Sequence, residues 1–163
     1  MSRADFNKKD ANKKGKPAKQ HLMQVFDEWK RTKIITDYAN MGSYFKVKDE
    51  KGIHYVVCEW KSKRQALKWK FDGVRFIPDK VKRLLRLGHP AYYYMVIENY
   101  RIYYADAKKI MKFKTDERVD TYRKDNELFY NLDLSRVSWY DINYFDKVDE
   151  GENLFEMLTN KGD

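Results

Sequence analysis

The run Ala91-Tyr92-Tyr93-Tyr94-Met95-Val96-Ile97 is apolar or aromatic at every position. A strand of that composition belongs at the centre of a sheet, buried on both faces. Residues 100–105 supply a second strand after a turn containing Asn99. Upstream, Tyr44-Phe45-Lys46-Val47-Lys48 alternates and Asp49-Glu50-Lys51-Gly52 has turn chemistry. Residues 53–60 are rich in β-branched and aromatic side chains, so 43–61 reads as a hairpin. Two helices complete the pattern. Pro17 suits a first helical turn, and Leu22, Phe26 and Trp29 mark one apolar face over about 17–31. Pro78-Asp79 opens a shorter helix with Val81, Leu84 and Leu85 on one side, closed by Gly88 and Pro90. Beyond Lys112 the pattern weakens, with short strands at Leu128-Phe129-Tyr130 and within 137–145. The order predicts an α/β fold, a mixed central sheet flanked by helices.

At 163 residues, 42% apolar and 16% aromatic, the chain suits one folded domain rather than a disordered or collagen-like one. Residues 1–16 are polar and basic and read as a flexible arm, 17–148 as the domain, and 149–163 as a frayed tail. A formal net charge of +9 favours a polyanionic partner, nucleic acid ahead of anionic membrane. No apolar run approaches the roughly 20 residues that span a bilayer, and the start has no secretory signal, so an intracellular, cytoplasmic protein is expected. Cys58 is the single cysteine and His21, His54 and His89 are scattered, which excludes a disulfide framework and a zinc site of ordinary ligand count.

The segment Tyr55-Val56-Val57-Cys58-Glu59-Trp60-Lys61 bears most directly on chemistry. Strand alternation puts Glu59 and Lys61 on one face, an acid beside a base at the end of an apolar strand. A carboxylate holding a divalent ion can polarise a phosphodiester and position water, while an ammonium group neutralises developing charge. The plainer reading is an exposed ion pair, and the triplet alone leaves both open.

Several segments together resemble the PD-(D/E)XK nuclease superfamily, and within it the RecU-type Holliday-junction resolvases and related small phage endonucleases. They are Gly15-Lys16-Pro17-Ala18 before an amphipathic helix, Thr36-Asp37-Tyr38, Cys58-Glu59-Trp60-Lys61-Ser62-Lys63, Phe76-Ile77-Pro78-Asp79-Lys80-Val81, and the strand pair ending Tyr103-Tyr104-Ala105-Asp106. The likeness spans roughly residues 15–112. It implies a restriction-endonuclease-like fold and an Mg²⁺- or Mn²⁺-dependent endonuclease acting on branched or distorted DNA. A homodimer and a bacterial or phage-infected cell would fit. By the resemblance Glu59 is a metal ligand, Lys61 the catalytic lysine, and Lys80 takes the place of a helix glutamine, either as an assistant to the reaction or as a surface lysine. The family's further carboxylate falls near Tyr44; Asp37 is preferred for it over Asp49, and Glu28 could add a ligand through water. The rival reading is a nuclease framework without its metal centre, acting as a nucleic-acid-binding or partner-binding module.

Between Glu59 and Arg86 there are ten basic residues against three acids, a local excess of +7. Lys63, Arg64, Lys68, Lys70, Arg75, Lys82 and Arg83 are candidates for phosphate contacts, and Trp69 for stacking on unpaired bases. Residues 62–77 would then form a DNA-facing loop. Trp60, by contrast, is assigned to the core, since it alternates with Glu59.

Overall fold

The computed structural model of the chain describes residues 8–69 and 73–143; Lys70 and the tail expected at 149–163 lie outside them. Helix α1 (Lys8–Arg31) buries Ala18, Leu22, Val25, Phe26 and Trp29, a stripe at helical spacing. Phe26 is its centre, with the rings of Trp29, Tyr38 and Phe45 at 5.6, 5.3 and 5.3 Å. The helix starts earlier than its apolar stripe does. Residues 8–16, expected within a flexible arm, are helical, and Pro17 lies inside the helix rather than at its start. A helical turn with no apolar face leaves no periodic signal in the sequence.

Strands β1 (Asp37–Asn40), β2 (Phe45–Asp49) and β3 (Gly52–Lys61) form an antiparallel meander, with Phe45 opposite Val56 and Asp37 opposite Lys48. Gly52 at φ 128° and an Asp49 carboxylate accepting from the Lys51 N–H at 2.8 Å close the expected turn. Strand β5 (Ala91–Ile97) lies parallel to β3, from Tyr55 opposite Ala91 to Lys61 opposite Ile97. It pairs on its other side with β6 (Arg101–Asp106), which in turn pairs with β9 (Ser138–Asp141). The central sheet therefore runs β1-β2-β3-β5-β6-β9, mixed but mostly antiparallel, and β5 is its buried interior strand, as its composition demands.

Helix α1 covers one face, packing on Val56, Val96, Ile102 and Tyr140. The other face is covered by α3 (Pro78–Leu87), α4 (Ala107–Phe113) and a second, three-stranded sheet of β4 (Gly73–Phe76), β8 (Glu127–Asp133) and β7 (Thr115–Val119). This second sheet corrects the reading of 62–77 as a loop. Ser62 caps a short helix α2 (Lys63–Ala66), accepting from the Gln65 N–H at 3.1 Å while Gln65 Oε1 accepts from the Ser62 N–H at 3.4 Å. Strand β4 then buries Val74 and Phe76. Arg75 between them points to the opposite face, where its charge is neutralised within the fold. Its Nε and Nη2 donate to the Glu117 carboxylate at 2.8 and 2.7 Å, and Asn131 Nδ2 adds a third donor at 3.1 Å. Strand β7 is charged at most positions and the short helix α4 interleaves lysines with its apolar residues, so neither stands out in the sequence; the Asp106 side chain, accepting from the Lys108 N–H at 2.7 Å, starts α4. Among the described residues no helix is long and apolar enough to cross a membrane.

Breaking a buried pair from one side leaves an uncompensated charge. Glu117→Ala is therefore expected to lower unfolding free energy by about 3–5 kcal/mol, and Arg75→Leu in the same chain to recover part of the loss. Chemical denaturation of the two variants checks this, and equal instability of single and double variants would contradict it.

Candidate functional site

Strand β3 sorts its side chains by alternation. Val56, Cys58 and Trp60 face α1, while Val57, Glu59 and Lys61 face the layer of α3 and β4. Trp60 is accordingly half-buried against the α1 cluster, and burial there pushes the Cys58 thiol up to about 11, an unreactive value at neutral pH. On the other face Glu59 is buried with its carboxylate beside Lys61, Oε2 to Nζ at 3.3 Å. The Tyr93 hydroxyl donates to Glu59 Oε1 at 2.6 Å and accepts from the Ile77 N–H at 3.3 Å, joining β3, β5 and the entrance to α3 in one chain of hydrogen bonds. A tyrosine on the buried interior strand needs a partner for its hydroxyl, and Tyr93 finds it in the acid of the E-x-K triplet. One turn into α3, Lys80 extends over the end of β3 and donates from Nζ to the Cys58 carbonyl at 3.4 Å.

Burial works to raise the Glu59 carboxyl, but the charges of Lys61 and Lys80 and the hydrogen bonds from Tyr93 and Lys61 outweigh it and leave it below its ordinary value. Tyr93 moves the opposite way, well above its usual range, because it is buried beside that carboxylate, and so it remains a donor.

The structure thus brings Glu59, Lys61 and Lys80 together and leaves the other acids apart. Asp37 pairs in register with Lys48, and Lys48 with Ile53, six residues along β3 from Glu59. At about 3.3 Å per residue that is roughly 20 Å of strand. Asp37 is exposed and bound to Lys30 at 3.1 Å, which holds its carboxyl below the usual range. Its expected role as a metal ligand beside Glu59 is incompatible with that register. Glu28 lies near the C-terminal end of α1, paired with Arg31, and Asp49 sits at the β2–β3 turn beside His54, at the end of the hairpin away from Glu59. Tyr44 precedes β2 on the same face as Glu59, its ring 6.0 Å from that of Tyr55. Among the described residues no three His, Cys, Asp or Glu side chains converge on one point. One carboxylate flanked by two ammonium groups is a poor match for Mg²⁺ or Mn²⁺, which take several oxygen ligands.

The basic candidates divide as well. Lys63, Arg64, Lys68 and Lys82 are exposed and Arg83 is half-buried. Arg75 is withdrawn into its pair with Glu117, which corrects its assignment to phosphate. Trp69, expected to be exposed, is half-buried against the core. No protein-family model, curated protein or solved structure matches the chain.

A carboxyl with a depressed value stabilises the fold above the ordinary carboxylate range, and that contribution is lost as pH falls through the folded-state value. Lys61→Met removes an opposing charge while leaving burial in place, so the Glu59 carboxyl should titrate at higher pH, read by NMR of the side-chain carboxyl carbon. An unchanged titration would show that Lys61 has no hold on it. Tyr93→Phe deletes the donor to Glu59 and the acceptor for Ile77, with an expected cost of about 1–3 kcal/mol in denaturation.

Proposed function

We propose that the chain is a nucleic-acid-binding protein built on a PD-(D/E)XK-like framework, whose Glu59–Lys61–Lys80 cluster serves as a buried ionic anchor rather than as a metal centre. The framework reading draws support from the order helix, three antiparallel strands, crossover helix and parallel strand, with the E-x-K triplet at the end of β3. One observation carries the choice between binding and hydrolysis. The Glu59 carboxylate is engaged by Tyr93 and Lys61, and the position on the neighbouring strand where a second acid would help hold an ion falls near Tyr44.

Around that anchor the exposed cations Lys63, Arg64, Lys68 and Lys82 lie on the segments that follow β3. Contacts of this sort bind phosphates without reading sequence, and they weaken as salt rises because bound counterions are released. The alternative, a metal-dependent endonuclease, keeps one point in its favour, the convergence of Glu59, Lys61 and Lys80.

A single series of incubations separates the two. A four-way junction, a nicked duplex and a linear duplex are mixed with the protein in Mg²⁺, Mn²⁺ or EDTA, beside Glu59→Ala, Lys61→Ala and a Lys63→Ala/Arg64→Ala double variant. The expected result is no cutting in any condition, binding that weakens more than about tenfold between roughly 50 and 200 mM salt, and a shallower salt slope in the double variant. Metal-dependent cutting that vanishes in the Glu59 and Lys61 variants would establish the endonuclease instead.

A further inference from the structure

Rows of opposed side chains cross the six-stranded sheet. Glu59, Met95, Tyr103 and Trp139 form one row on the face that carries the site. Two residues along, Lys61 opposes Ile97 and Arg101 opposes Asp141, so Ile97 lies between Lys61 and Arg101. With strands about 4.8 Å apart, the Lys61 and Arg101 backbones are roughly 10 Å from each other on one surface.

Arg101 is held in an unusual way. Its guanidinium carbon is 3.7 Å from the ring centre of Trp139, 4.0 Å from that of Tyr100 and 5.7 Å from that of Tyr103. Nη1 donates to the Tyr103 hydroxyl at 3.4 Å, while Nε is buried and meets no acceptor among the described residues. Asp141, its register partner, is exposed and accepts instead from the Asn143 N–H at 2.8 Å. Lys63, at the start of α2, places its ammonium 5.0 Å from the Tyr100 ring centre. Trp139 and Tyr100 are both half-buried at the edge of the core cluster they pack against. Stability alone gives little reason to desolvate an arginine without a carboxylate partner, since an unsatisfied buried donor costs about 1–3 kcal/mol.

We propose that the Tyr100–Arg101–Trp139 stack receives an unpaired segment of nucleic acid, with bases stacking on the rings and the backbone phosphates drawn to Arg101 and Lys63. This rests on the nucleic-acid reading given above and names which form of nucleic acid that surface selects. In a duplex the faces of the bases are covered by their neighbours, so only phosphate contacts remain. In a single strand the faces are free, and aromatic rings backed by a cation bind them with little regard to sequence. The arginine fork, held against both rings, offers paired N–H donors that suit phosphate oxygens.

The test compares a fluorescently labelled thymidine oligomer with a duplex of equal length at one salt concentration, using the full chain and the variants Trp139→Leu, Tyr100→Leu, Trp139→Phe and Arg101→Lys. Melting curves establish which variants fold; the last two preserve ring or charge and keep the experiment decisive if the first two do not. The expected outcome is tighter binding of the oligomer than of the duplex, a loss of roughly tenfold for the oligomer in Trp139→Leu or Tyr100→Leu, and a change of less than about twofold for the duplex. Tryptophan fluorescence should be quenched by the oligomer in the full chain and less so in Trp139→Phe. Equal affinity for both forms, or equal losses for both in the folded variants, overturns this inference while leaving a phosphate-binding surface in place. Failure of both forms to bind in a salt-dependent manner overturns it together with the nucleic-acid reading.

Discussion

The parallel pairing of β3 with β5 is the constraint from which the site follows. Two parallel strands that are neighbours in a sheet cannot be joined by a tight turn, because the chain must travel back the full length of the pair before the second strand begins. Residues 62–90 make that return as α2, β4 and α3, laid over the face that carries Val57, Glu59 and Lys61. The crossover brings the Ile77 N–H to the Tyr93 hydroxyl and the Lys80 ammonium to the end of β3. An acid that would be solvent-exposed on an isolated hairpin is thereby enclosed, and its neighbours become obligatory. A carboxylate taken out of water needs opposing charge and hydrogen bonds to remain ionised, and Lys61, Lys80 and Tyr93 supply them.

The same enclosure separates two kinds of basic residue that a count of charges treats alike. Arg75 and Lys80 are committed inside the fold, one to Glu117 and the other to the end of β3. Lys63, Arg64, Lys68 and Lys82 remain at the surface, where their charge is available to a polyanion. Arg101 belongs to neither group. It is held by aromatic rings instead of a carboxylate, at the end of the sheet where Lys61 also emerges. On the reading proposed above, a surface that joins exposed cations to a ring-and-guanidinium stack would have two different ways of gripping one chain of nucleotides, through the backbone and through the bases.

Much of this was legible in the residues themselves. The apolar stripe of Leu22, Phe26 and Trp29, the 43–61 hairpin, the Pro78-Asp79 helix and the buried strand at Ala91–Ile97 all carry periodicity strong enough to read locally. The proximity of Glu59 and Lys61 was legible for the same reason, since alternation along one strand puts them on one face. Strand β4 was hidden because four residues are too short a run to establish a period, and the Arg75 charge that argued for an exposed loop is met by Glu117, 42 positions away. Strand β7 was hidden by charge, and helix α4 by its shortness, seven residues with lysines among the apolar ones. The expected closeness of Asp37 to Glu59 failed because a separate strand, β1, carries Asp37 to the opposite end of the hairpin, something decided by hydrogen-bond register rather than by spacing in the chain.

The amino-acid order by itself determined which stretches bury a face, that the sheet has a fully enclosed strand, that the chain is basic, and that one acid and one lysine share a surface. These are properties of neighbouring residues, set by the repeat of helix or strand. Tertiary structure alone decided that β3 and β5 run parallel, that Tyr93 binds Glu59, that Arg75 is neutralised by Glu117, and that Arg101 lies one strand beyond Ile97 on the surface of Lys61. Each of those depends on which distant segments pair and in what register, and the energies that select among pairings come from packing the whole core at once.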